Sequence, residues 1–419
     1  MTDFEAILRW LAVVSAISVA LLPLTLWLGG GLGDSAIALI RPLGMVFLTA
    51  IVWWPAAMLG LPFTRLVLLV ALAGAATLGW ALQLRVERSL PWRELALFEA
   101  VWLLLFFGYA LFRSYNPHIM NTEKPMEIAF LSSIVRSAEV PAPDPWYAGE
   151  TINYYYFGYQ MIGGIAKLAG IPPSLAFNLA LATLFASAGT VAAAIGIRLA
   201  WQAGVRRRWM QASTGFVATF MLLWAGNLET IRRVLVERDG LFETTFWYQG
   251  VGWQASRIIV DHNVHGRPGE RGTINEFPAF SFILGDLHPH VLTYPLLLAV
   301  VALAAGFMLA RETLTLPRVA VSGGVVGLLY VSNSWDAPLG MLLLVVAFTV
   351  CTGFDLRKIL TNMVCASAAA LVVATPFVLD FTAPVGLNEA DVPEFLTGIP
   401  VISTVVTTLG IVVWRPSGW

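Results

Sequence analysis

Two cysteines, Cys351 and Cys365, are all that 419 residues contain, and both sit in or beside apolar segments. No disulfide framework supports the loops. Charge is scarce as well: charged residues make up 12% of the chain and the formal net charge is -1. That leaves no electrostatic reason to expect nucleic acid as a partner, and no motif points to one. There is no GxxxxGK[ST] run, and the glycines from Gly29 to Gly33 lack the strand-turn-helix context of a dinucleotide site. Use of a soluble nucleoside triphosphate is not expected. The N-terminus lacks a basic region followed by a small-residue cleavage site, and its first apolar run is long and retains Arg9. It reads as a retained transmembrane helix. No internal repeat or low-complexity segment is evident.

What is abundant is apolar surface: 58% of residues are hydrophobic and the mean hydropathy is +0.75. Several runs reach about 20 apolar residues, the length that crosses a bilayer. The expected fold class is all-α, a polytopic transmembrane helical protein of the cell membrane. Spans are expected near residues 7–29, 36–59, 64–84, 93–113, 174–200, 210–226, 290–310, 317–333, 338–354, 358–378 and 398–415. Arg41 and Pro42 weaken the second, which predicts a kink or a half-helix there. The positive-inside rule puts the basic link at Arg85, Arg88 and Arg93 in the cytoplasm, so the loop after the fourth span lies outside. Tyr156 to Ala169 is too short for about 30 Å of hydrocarbon. It is expected as an outer-face helix lying on or dipping into the bilayer. The basic cluster Arg198, Arg206, Arg207 and Arg208 then returns inside, which gives about eleven spans and an outside N-terminus. The whole chain, 1–419, reads as one integral membrane domain: N-terminal spans 1–113, an external loop 114–173, spans 174–226, a second external loop 227–289 and C-terminal spans 290–419.

Acidic side chains gather in the first external loop, at Glu123, Glu127, Glu139, Asp144 and Glu150. The loop opens with a short helix in which Asn121 and Thr122 are candidate N-caps and Pro125 occupies the first turn. Glu123 and Glu127 lie near the positive end of its dipole. At 100° per residue Ile128, Phe130, Leu131, Ile134 and Val135 form an apolar stripe, with Ser132, Ser133, Arg136 and Ser137 opposite. Glu127 falls inside that stripe, and Glu123 projects from the same side one turn earlier. Such a pair can face a cavity whose desolvation and mutual repulsion tune their proton affinity, or where a metal ion joins them. The alternative is a helix-start carboxylate, or a pair with Lys124 or Arg136.

The aromatic cluster Trp146, Tyr147, Tyr154, Tyr155, Tyr156, Phe157 and Tyr159 reads either as an interfacial belt or as faces on which sugar rings stack. Asp144 beside it can bond sugar hydroxyls. The second loop, together with the first residue of the span after it, holds four of the five histidines. In an extended segment Asp286, His288 and His290 point the same way and form a ligand comb for a divalent metal; the alternatives are interfacial hydrogen bonding or contacts to substrate phosphate or sugar. Glu276 and Asp336 are further carboxylates near external span ends, functional candidates by default. Arg257, Arg267 and Arg271 could neutralise a diphosphate or pair with Glu270 or Asp261.

The strings YNPHIMNTEKPMEIAFLSSIVRS, DPWYAGETINYYYFGY, GIPPSLAFNLALATLFA, TINEFPAFSFILGDLHPH and NSWDAPLG resemble the bacterial and archaeal YYY membrane proteins, a family built on a domain of unknown function. The order of acidic helix, tyrosine run and non-crossing helix is also distantly similar to GT-C membrane glycosyltransferases. That similarity implies sugar transfer from a polyprenyl-phosphate carrier at the outer face, with Glu123 and Glu127 as base or metal-binding carboxylate and Asp144 or Asp286 as a second one. It makes Glu123, Glu127 and Asp144 catalytic candidates and Glu123 with Asp286 the metal ligands, the ion being manganese or magnesium and the one cofactor expected. Substrate-binding candidates are Lys124, Asn153, Tyr154, Tyr155, Tyr156, Trp146, Arg271, Glu276, Asp286, His288 and His290. The partners implied are a lipid-linked sugar donor and membrane lipids. The pattern departs from the adjacent acidic pair of several GT-C groups, since Lys124 follows Glu123. Members of the YYY family often run longer, and outer C-terminal elements that help bind the carrier are expected to lie outside this sequence. The rival readings are a transporter or flippase of a lipid-linked or polar substrate, and a non-catalytic scaffold for envelope assembly.

Overall fold

A computed structural model describes residues 2–86, 90–236, 240, 243, 245–258 and 274–382 of the chain. Those residues are overwhelmingly helical, and strands are absent among them apart from an isolated bridge between Pro143 and Thr151. The N-terminal half comprises α1 (Asp3–Leu28), a 3₁₀ segment (Gly30–Leu39), α2 (Ile40–Leu59), α3 (Arg65–Val86), α4 (Trp92–Ser114), α5 (Lys124–Arg136), α6 (Phe157–Ala169) and α7 (Pro173–Gln202). Then follow α8 (Arg208–Phe220), α9 (Glu229–Val236), α10 (Pro278–Leu284), α11 (Pro289–Leu309), α12 (Leu316–Ser332), α13 (Asp336–Thr352) and α14 (Leu356–Asp380).

Among the described residues seven helical runs are long and apolar enough to cross a membrane: α1, Gly30–Leu59, α3, α4, α7, α11 and α14. The shorter apolar helices α12 and α13 match two further expected spans, and α8, continued by a π turn at Met221–Ala225, matches that near 210–226. The run expected at 398–415 lies outside the described residues. One buried core reaches from Ala6 to Phe377. Inside a bilayer such packing rests on close van der Waals contact rather than on expulsion of water.

The weakness expected in the second span is a change of helix type. Gly33 has a positive φ of 62° inside the 3₁₀ segment, and the α-helix begins at Ile40. Arg41 is buried, donates to Glu99 of α4 at 2.6 Å and lies 3.9 Å from the centre of the Trp102 ring. A cation at membrane depth thus has a carboxylate and an aromatic face as partners. Arg198 at the end of α7 donates to Gly31 O, and Arg318 at the start of α12 donates to Trp27 O, so these basic residues share one end of the bundle.

α5 and α6 occupy the opposite end. α6 differs from the sequence expectation: from Phe157 to Ala169 every residue but Lys167 is buried, so it lies inside the protein and not on or in the bilayer surface. It packs against α1, α2, α3, α5, α7, α11 and α12. Its glycines explain how so short a helix fits. A Cβ at Gly163 would stand 2.5 Å from Ile134 of α5, and one at Gly158 would stand 2.9 Å from Leu292 Cβ of α11. Lys167 closes the end by donating to the carbonyls of Phe63 and Ser137.

Removing the carboxylate from the Arg41 pair leaves a buried guanidinium without its counter-ion, a change that destabilises by roughly 1–3 kcal/mol where one partner is half exposed. Glu99→Ala is expected to lower the Tm of the detergent-solubilised protein by about 3 °C or more. An unchanged melting curve would contradict a structural role for the pair.

Candidate functional site

The first turn of α5 is set by the chain that approaches it. Asn121 and Thr122 adopt positive φ values of 68° and 50°, and neither caps the helix. The cap position belongs to Glu123, whose own side chain makes no capping bond, and Pro125 sits in the first turn. Thr122 instead reaches across to the second loop, its Oγ1 lying 2.7 Å from Asp286 Oδ1. The chain reversal thereby points Glu123 outward and carries Lys124 and Glu127 into the protein.

Glu127 has no solvent exposure. Its Oε2 accepts the backbone N–H of Leu287 at 2.8 Å, and its Oε1 has no hydrogen-bond partner among the described residues. Burial pushes its carboxyl well above the usual range, the charges of Asp286 and Glu123 push the same way, and the Leu287 N–H and Lys124 oppose them. Lys124 is buried beside it, 3.4 Å from Asp286 Oδ1, and donates to Met120 O. Desolvation holds its amine below the ordinary lysine value; Asp286 acts against that and Arg113 with it.

Arg113, the last basic residue of α4, is also buried and donates to Asn178 Oδ1 and His118 O. Gly285 ends α10 with φ +69°, and a Cβ there would come within 2.6 Å of the Arg113 guanidinium. Glycine is needed both for the turn and for that approach.

The histidines do not form the comb expected of an extended segment. Pro289 starts α11, so His288 becomes its cap and His290 enters its first turn. Their Nδ1 atoms face one another at 2.8 Å, so one carries the hydrogen that the other accepts. His288 Nε2 is 2.9 Å from Glu123 Oε2 and 3.4 Å from the Tyr154 hydroxyl. His290 Nε2 is 3.0 Å from Ser281 Oγ and 3.6 Å from Glu276 Oε2. Burial raises the Glu276 carboxyl above its usual range, and the nearby His288 opposes this. A line of acid-base groups therefore runs Glu123, His288, His290, Glu276.

These groups border a cavity of ≈ 220 Å³, whose far wall is Trp253, Arg257 and Phe280. The Arg257 guanidinium lies 3.4 Å from the centre of the Trp253 ring. Among the described residues no group of three or more His, Cys, Asp or Glu is arranged to hold a metal ion. Glu123 turns to His288 while Asp286 turns to Thr122 and Lys124, so these two do not converge as a ligand pair.

Other candidates go elsewhere. Asp144 accepts the backbone N–H groups of Trp146 and Tyr147 in a loop turn, away from the cavity wall, and Trp146 is exposed. Asn153 exchanges two hydrogen bonds with the backbone of Thr382 at the end of α14. Of the three tyrosines, Tyr154 meets His288, Tyr155 meets Ser334 and stacks on Phe381, and Tyr156 is buried against Trp53. Asp336 accepts from Thr293 and Asn333. Arg267 and Arg271, with Asp261 and Glu270, lie outside the described residues. Sequence reasoning missed Arg113, Ser281 and Trp253, and gave Thr122 only a capping role. Of the three missed, only Arg113 carried a signal, as an arginine at the last turn of an apolar span.

The long apolar helices, packed around a polar cavity at one end, define a multi-pass helical membrane protein. A family model described as an uncharacterized membrane protein (DUF2298) matches residues 47–408, and the chain belongs to that family. No curated protein and no solved structure matches it.

The raised Glu127 carboxyl has a stability consequence of definite sign. A carboxyl whose folded-state affinity for a proton exceeds the unfolded one contributes fully below the ordinary carboxylate range, and that contribution is lost as pH rises toward the folded-state value. Glu127→Gln keeps the acceptor for Leu287 without the titration. Its Tm is expected to match wild type near pH 4.5 and to exceed it at pH 8; parallel curves would contradict this. Gly285→Ala, by contrast, is expected to lower Tm at every pH by about 2 °C or more through backbone strain and the Arg113 contact.

Proposed function

We propose that the protein is a membrane glycosyltransferase of GT-C-like design, moving a sugar from a polyprenyl-phosphate donor to an acceptor hydroxyl at the loop-bearing end of the bundle. The observation that supports this most directly is the meeting of Glu123 with His288 in a cavity that also contains Arg257 stacked on Trp253. The likeness to GT-C enzymes rests on the order of loops and acidic residues, which adds a prior and nothing more.

In this reading the acceptor oxygen attacks the anomeric carbon of the donor. A glycosidic C–O bond forms, the C–O bond to phosphate breaks, and its electron pair leaves with the phosphate oxygen. The acceptor proton passes to Glu123, with His288 Nε2 2.9 Å behind it to share the charge. Arg257 offers a planar, bidentate match to the departing phosphate, and the Trp253 face offers stacking for a sugar ring. Glu127 takes no part in proton transfer: it is buried and spent on the Leu287 N–H, and it acts by holding the turn that carries Asp286 and His288.

The experiment is transfer from a panel of radiolabelled polyprenyl-phosphate sugars by purified protein in lipid, with and without EDTA and Mn²⁺. Glu123→Gln is expected to lower kcat by about 100-fold or more with an unchanged Tm, the size typical of losing a general base. Glu127→Gln is expected to stay within a few-fold of wild type. Full activity in Glu123→Gln, or no donor consumed by a folded wild-type protein, would overturn the reading.

A further inference from the structure

α12, α13 and α14 enclose a second space, a groove of ≈ 420 Å³ lined by Val326, Tyr330, Trp335, Met341, Ala370 and Leu371 among others. Its lining is almost wholly apolar, and two of its rim residues, Trp335 and Leu371, are exposed. Along α14 the lining runs from Ser367 to Val378. At the helical rise of 1.5 Å per residue this is about 16 Å of wall. α14 is one of the helices long and apolar enough to span a membrane, and the groove lies along it. Nothing polar or charged gains from entering it. What fits is an aliphatic chain.

The groove is connected to the cavity by a short series of contacts. Ser334, part of its lining, is 2.8 Å from the Tyr155 hydroxyl. Tyr155 and Tyr154 have ring centres 5.6 Å apart, and the Tyr154 hydroxyl is 3.4 Å from His288 Nε2. The two hydrogen bonds between Asn153 and Thr382 fix the tyrosine loop to the end of α14, the helix that forms one wall. Groove and cavity are thus held in register, the first apolar and the second bordered by Arg257 and His288.

We propose that the groove holds the isoprenoid tail of a polyprenyl phosphate, with the phosphate end directed past Tyr155 and Tyr154 to the cavity; this rests on the glycosyl-transfer reading. A single-tailed lipid suits it better than a diacyl phospholipid, because one cleft leads to one polar site. Small side chains on its floor, Ala337, Ala370 and Ala374, leave room for the branch methyls of isoprene units.

The test uses the full chain in nanodiscs with a polyprenyl phosphate carrying a diazirine in its tail, followed by peptide mapping of the crosslinks. Crosslinks are expected on Val326–Tyr330 and Ser367–Val378, with unlabelled polyprenyl phosphate displacing the probe at least tenfold better than phosphatidylglycerol. Met341→Trp, which fills the groove from a half-buried position, is expected to cut this labelling about tenfold; Ser367→Phe does the same from the opposite wall. Crosslinks spread evenly over the lipid-facing helices, or concentrated between α1 and α3, overturn the proposal, as does equal displacement by phosphatidylglycerol. Specific groove labelling in a protein that transfers no sugar would leave the lipid site standing and remove the glycosyl-transfer reading. Sugar transfer with no groove labelling would do the reverse.

Discussion

The bond from the Leu287 N–H to Glu127 ties together the two loops whose polar residues border the cavity. α5 comes from the first loop and the Asp286–His288 turn from the second, 160 residues later in the chain, and their junction has no access to water. A buried backbone donor must be satisfied, and here a side chain satisfies it from across the molecule. The junction holds Leu287, which lies between Asp286 and His288, against α5, whose cap residue is Glu123.

Around this bond the protein has gathered more charge than an apolar bundle readily accommodates. Arg113, Lys124 and Glu127 are buried, Asp286 is partly buried beside Lys124, and Glu123 and His288 stand on the wet side. Such a set is stable only if each ion is hydrogen-bonded, and each of the two cations has carbonyl or amide acceptors of its own. The arrangement places two carboxylates one helical turn apart in different surroundings. Glu123 is exposed beside His288, whereas Glu127 is sealed, and burial favours its neutral form.

Much of this was legible in the residues themselves. Hydropathy located the spans that the described helices reproduce, and helical periodicity put Glu127 on the apolar face of α5, where it is found. Glu276, Asp286, His288 and His290 drew notice as polar groups where apolar helices begin, and the structure brings them together around one cavity. What could not be read were pairings that depend on three-dimensional meeting: Arg41 with Glu99, Thr122 with Asp286, the two imidazoles face to face. Asp144, an acidic residue among aromatics, accepts the N–H two residues on in a tight loop, a local bond that the reading of it as a sugar ligand did not weigh. The placement of α6 was half right, since its length forbade crossing, but periodicity says nothing about whether the apolar neighbour is lipid or protein.

The burial of α6 also constrains how the molecule is made. Its Gly158 rests against Leu292, a residue of α11 synthesised more than a hundred positions later, while its other neighbours in α1 and α2 are already in place. A 13-residue helix cannot wait across the bilayer on its own. The seat of α6 is therefore complete only once α7, α11 and α12 have been synthesised, since all three pack against it. The cavity, which needs α5 braced on α6 and His288 at the head of α11, comes into existence at that late step and not before.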